Sequence, residues 1–151
     1  MKYKFKFLAV FLLVALTFSC SSDDDNGSGS FIKARFNNTN LVFKITSVEE
    51  LGPYTVDGYT YFDIKVNAEA KNDPNKTLII SSEKGVVGAN LIWRFDYYDE
   101  SLFYSKVDGL FSTNITENSN NKYVGTFSGT IRTSDGSNVI TLSNGVFNVS
   151  Y

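Results

Sequence analysis

The chain predicts an all-β fold: an antiparallel β-sandwich or flattened barrel of about nine or ten short strands, preceded by a signal peptide. Three observations predict it. Apolar and polar residues alternate with period 2 through nearly every apolar run after Phe31. Clusters of Asn, Asp, Gly and Ser separate those runs, and no window of the domain sustains a helical i, i+3, i+4 stripe. With 151 residues, 42% hydrophobic and 15% aromatic, the chain has the size and composition of one globular domain.

The first element is an address. Met1 to Lys6 carries Lys2, Lys4 and Lys6 and no acid, and Phe7 to Phe18 is an unbroken uncharged run. A membrane-spanning helix needs roughly 20 apolar residues. Twelve residues are too few to span and match the hydrophobic region of a secretory signal, here placed at residues 1–19. Cys20, the only cysteine, follows directly. Leu16-Thr17-Phe18-Ser19-Cys20 resembles a bacterial lipobox, with a small residue before the acylated Cys, although Thr17 and Phe18 depart from its usual Leu and small residue. The resemblance implies acylation of Cys20; two or more acyl chains anchor a protein stably. Residues 20–30 are rich in Asp, Gly and Ser, a composition that stays a flexible tether. Within it, Ser22-Asp23-Asp24-Asp25 resembles the surface-export signal of Bacteroidota lipoproteins. The implied location is the outer membrane, lipid-anchored and facing the cell exterior.

The domain proper is residues 31–151. Ile32-Ala34-Phe36 opposes Lys33 and Arg35, and Leu41-Phe43-Ile45 opposes Lys44. From Tyr59 to Ala70, Phe62, Ile64, Val66, Ala68 and Ala70 form a dry face opposite Tyr61, Asp63, Lys65, Asn67 and Glu69. One solvated face is the pattern of an antiparallel sheet. Leu91-Trp93-Phe95-Tyr97 alternates with Arg94 and Asp96, which puts Trp93 on the core side. Breakers fall at 37–40, 71–75 and 117–121, and Pro53 and Pro74 are expected in connections, where no ladder bond is lost. Asp108-Gly109 reads as a two-residue hairpin turn. Ser134-Asp135-Gly136-Ser137 joins the next pair of strands, and Asn144-Gly145 is either a hairpin or a bulge in one long final strand.

The strongest local signature is terminal. Tyr123, Gly125, Phe127, Gly129 and Ile131 share a face, and the glycines beside Phe127 leave room for facing bulky side chains. With Ile140-Thr141-Leu142-Ser143-Asn144-Gly145-Val146-Phe147-Asn148-Val149, this stretch resembles a family of small uncharacterised Bacteroidota lipoproteins. That family ends in G-x-F-x-G-x-I, a turn, and I-T-I-T-N-G-x-F-x-V; Phe31 to Phe43 also resembles its opening strands. The resemblance implies a fold and an address, and no activity.

Chemistry is sparse. Without His the chain lacks the commonest general base and metal ligand, and a single Cys excludes an intramolecular disulfide and a cysteine-based zinc site. Gly85-Val86-Val87-Gly88 lacks the Lys of a phosphate loop. A net charge of −2 provides no field for nucleic acid. No catalytic residue, metal or cofactor is assigned, and the protein is expected not to be an enzyme. Asp96, Asp99 and Glu100 offer only a remote paired-acid reading. Tyr54, Tyr59, Tyr61 and Tyr98 are the tyrosines expected to be exposed, and Tyr61, Arg94 and Tyr98 are the candidate binding residues. The favoured function is a surface-anchored, non-catalytic interaction module for a protein or glycan; a structural accessory subunit of an outer-membrane complex is the alternative.

Overall fold

The computed structural model describes residues 29–151. The signal peptide (1–19), Cys20 and Ser22-Asp23-Asp24-Asp25 lie outside the described residues. Nine strands follow: β1 (Phe31–Phe36), β2 (Thr39–Val56), β3 (Tyr59–Ala70), β4 (Asp73–Glu83), a two-residue β5 (Gly88–Ala89), β6 (Ile92–Asp99), β7 (Leu102–Ser119), β8 (Lys122–Arg132) and β9 (Val139–Ser150). Every pairing is antiparallel. Apart from β5, each strand pairs with the next in the chain, and the β1–β9 pairing closes the ring. Of the two expected architectures the molecule is the barrel: eight strands closed on themselves, with β5 added beside β7 at Gly88–Ile115. Closure removes the open strand edges that a sandwich leaves.

The interior is filled by the alternating apolar faces. Ile32, Phe43, Val66, Leu78, Ile80 and Phe95 are completely buried. An eight-stranded barrel is just wide enough for side chains to fill. Here rings do much of the filling: Phe36 lies 4.6 Å from Tyr97, Phe95 lies 4.9 Å from Phe127, and Tyr123 lies 4.6 Å from Phe147, centroid to centroid. This packing explains Gly125 and Gly145, whereas Gly129 receives no facing side chain and lies against the β7 backbone at Leu110 and Phe111, with φ 132°. Gly125 pairs across β8 and β9 with Phe147, and Phe127 pairs with Gly145. Gly125 and Gly145 thus each receive the ring of the opposite strand: a Cβ on Gly145 would sit 2.5 Å from the Phe127 ring.

Several sequence expectations are corrected by bulges. Asp108-Gly109 is not a hairpin; β7 runs through it. Its first half pairs with β6 and its second with β8, and from Lys106–Ile131 to Phe111–Gly129 it advances five residues against two. The positive φ of Gly109 lets the strand bend there instead of turning back. Pro53 and Pro74 lie within β2 and β4, not in connections, but each sits at a register irregularity where no ladder hydrogen bond is missed. Asn144-Gly145 is a bulge inside an unbroken β9, with Asn144 at φ 53°. Nor are all the strands short: β2 and β7 have 18 residues each.

Candidate functional site

The length of β2 creates the main surface feature. Asp63–Glu83 is the last pair between β3 and β4, yet β2 and β3 continue pairing through Tyr54–Tyr61, Thr55–Thr60 and Val56–Tyr59. This two-stranded arm projects past the barrel wall. A bulge at its root sets which way it presents its side chains. From Leu51–Asp63 to Tyr54–Tyr61, β2 advances three residues while β3 advances two. A one-residue slip reverses the face of everything beyond it, so Tyr54 joins Tyr61 on the side of Asp63. Gly52 makes the bulge with φ 128°, a region open to glycine and costly for other residues. Phe62 sits opposite this bulge beyond the last β4 pair, which is why it is 37% exposed instead of in the core.

A second bulge does the same to Trp93. Arg94 pairs with Ser81, and Ile92 pairs with Ser82, leaving Trp93 as the extra residue. Ile92 takes the inward position and is buried, while Trp93 turns outward and is 53% exposed. The expected place of Trp93 in the core is therefore wrong, because strict alternation breaks one residue before Arg94.

These two displacements build a cleft. Tyr54, Tyr61, Trp93, Asp63 and Glu83 line a volume of about 520 Å³ on the outer wall at the root of the arm. The Tyr54 and Tyr61 rings lie 5.5 Å apart, and Tyr59 stacks on Tyr61 at 6.0 Å. Trp93 Nε1 donates to Asp63 Oδ1 at 3.4 Å, and the Tyr59 hydroxyl donates to Glu83 Oε1 at 2.7 Å. The Glu83 carboxylate beside it raises the Tyr59 hydroxyl pKa above its ordinary value. Asn118, buried on β7, donates to the carbonyls of Glu83 and Val86 at 2.7 and 3.0 Å. That clasp holds the end of β4, and with it the acid, against the barrel.

The lysines nearest in sequence to the cleft acids are engaged elsewhere. Lys65 binds Glu49 at 3.3 Å, and Asn67 adds a 2.7 Å hydrogen bond to the same carboxylate, lowering the Glu49 pKa. Lys84 bridges Glu50.

Of the three candidate binding residues, the structure places Tyr61 in the cleft. Arg94 adjoins Trp93 in sequence, but its Nε bridges Asp96 Oδ2 at 2.5 Å. Tyr98 is four residues along β6, about 13 Å at strand rise, where it packs on Phe103 at 5.1 Å. Asp96 and Asp99 fall on opposite faces of β6, held by Arg94 and by Lys76 at 2.9 Å respectively; the paired-acid arrangement is not assembled there. Sequence reasoning missed Asp63 and Glu83 as site residues and misplaced Trp93. Their alternation was visible, but the two bulges that turn the aromatic residues toward them leave no period of their own. Among the described residues no group of three or more His, Cys, Asp or Glu is placed to hold a metal ion.

Comparison with protein-family models, with curated proteins and with solved structures finds no match for this chain.

Proposed function

We propose that the protein is a lipid-anchored surface module that binds glycans, without catalysis, in the Trp93–Tyr61–Tyr54 cleft. The observation that carries this reading is the outward Trp93. A large ring 53% exposed at a bulge gives up core packing, and it shares a cleft with two tyrosines and two hydrogen-bonding carboxylates. Sugar rings offer the matching surfaces: a C–H face that packs on aromatic rings and hydroxyls that donate to carboxylates.

The address read from residues 1–25 supplies the setting, a membrane anchor at Cys20 with the Asp triplet directing the domain outward. The tether enters the barrel at the arm end. Ser150 N donates to Ser30 Oγ at 2.7 Å, and Tyr151 beside it lies under Lys84, next to Glu83. Entry at this end puts the cleft on the side of the barrel nearest the proposed anchor.

The test is a panel of immobilised neutral oligosaccharides probed with the full chain and with its Trp93→Ala variant. At least one oligosaccharide retains the parent chain, and the variant loses about tenfold or more in affinity, as loss of a stacked ring costs about 1–3 kcal/mol. Retention of the variant as strong as that of the parent would overturn the assignment.

A further inference from the structure

Resting on the glycan reading above, we infer that the cleft selects saccharides carrying a protonated amine over neutral and acidic ones. The lining of the cleft carries negative charge and no cation. Asp63 and Glu83 are direct cross-strand partners on one face, and neither Lys nor Arg is among the five residues lining the cleft. Cross-strand partners have Cβ atoms about 5 Å apart, so two negative charges share a small space. Asp63 is only 9% exposed, which reduces the screening of its charge by water.

The partners these acids do have are neutral. Trp93 Nε1–H and the Tyr59 hydroxyl stabilise Asp63 and Glu83 without cancelling either charge. The cations nearest in sequence to the lining residues, Lys65, Lys84 and Arg94, are taken by Glu49, Glu50 and Asp96. The ring faces add to the same sign, since an aromatic face is the negative part of its quadrupole and attracts cations. Carboxylates and π faces thus combine into a site whose missing component is positive. An ammonium on a sugar ring provides that charge while its C–H face occupies the rings. A uronic acid or a sulfated sugar brings a third negative charge and is repelled.

The experiment is isothermal titration calorimetry of the full chain at low salt with four probes. These are an oligosaccharide of glucosamine, the N-acetylated oligosaccharide of equal length, oligogalacturonate, and spermidine as an amine without a sugar. The glucosamine oligomer should bind about tenfold more tightly than its N-acetylated form, the range of a desolvated cation–π and carboxylate contact. Oligogalacturonate and spermidine should bind far more weakly than the glucosamine oligomer. Asp63→Asn and Glu83→Gln, each made separately so that one folding failure does not decide the matter, should bring the ratio between the first two probes toward one. Equal affinity for the amine and N-acetyl forms would remove the charge selectivity and leave the glycan cleft standing. Spermidine bound as tightly as the glucosamine oligomer would make the site an ammonium cage with no role for the sugar. Binding of none of the four, together with no retention on the neutral panel, would remove the glycan reading itself.

Discussion

Gly145 shows how a single residue in this barrel is chosen by its neighbour. It has no positive φ, so backbone freedom is not the reason for it. The reason is Phe127, whose backbone carbonyl oxygen and ring carbons Cδ2 and Cε2 would lie 2.4, 2.5 and 2.6 Å from an added Cβ. Gly145→Ala should cost about 1–3 kcal/mol of stability, the usual penalty of forcing a methyl into a filled core. Urea unfolding would measure it, and a midpoint unchanged from the parent would mean that both the ring and the backbone of Phe127 have space to yield. This exchange of rings and glycines was partly legible in the sequence, because glycines on the face of Phe127 announce a hole. Its filling by Phe147 and Phe127 from opposite strands depends on the register of β8 against β9, which alternation alone does not specify. Trp93 was the opposite case. Its neighbours Leu91 and Phe95 assigned it inward by period, and only the Ser81–Arg94 and Ser82–Ile92 pairings reveal the extra residue.

At the scale of elements, the recurring device is the bulge. The slips at Gly52-Pro53 and Trp93 set the cleft, and those at Asp108-Gly109 and Asn144 bend the long strands β7 and β9 around the barrel. Turns could be read more securely, since their chemistry is local. Between β8 and β9, Asp135 accepts hydrogen bonds from Thr133 Oγ1 at 2.5 Å, Ser137 Oγ at 2.9 Å and Ser137 N at 3.1 Å. The Thr133 bond foremost, then those from Ser137, lower its pKa from 3.8 to about 2. A carboxylate whose pKa falls on folding stabilises the folded state above its unfolded value, and that contribution disappears as pH drops through the folded value. The stability difference between the parent and Asp135→Asn should therefore hold constant down to about pH 4 and shrink toward pH 2. Urea midpoints across that window would show it; a difference independent of pH would mean that the turn is held by its geometry and not by the charge.

On the scale of the whole molecule, the fold class was available from period 2 and turn spacing, while the choice between sandwich and barrel was not. Both alternate identically along a strand, and what separates them is the long-range β1–β9 pairing that completes the ring. A filled barrel leaves its outer wall and the arm as its accessible surface, and the acids of the barrel differ in what engages them. Glu49, Glu50, Asp96 and Asp99 are engaged by Lys or Arg, whereas Asp63 and Glu83 receive hydrogen bonds from neutral aromatic groups in the cleft. Whether the cleft is the open aromatic surface proposed above can be read from Trp93, the only tryptophan of the chain, which lines it. The most direct measurement is the emission of Trp93 in the full chain, excited beyond the absorption of tyrosine, with acrylamide as quencher and then with glucosamine oligosaccharide added. A water-like, red-shifted emission that acrylamide quenches freely, and that the oligosaccharide shifts to the blue and protects, is the expected result. A blue emission in the free chain, inaccessible to acrylamide and unmoved by the sugar, would return Trp93 to the core and contradict the cleft.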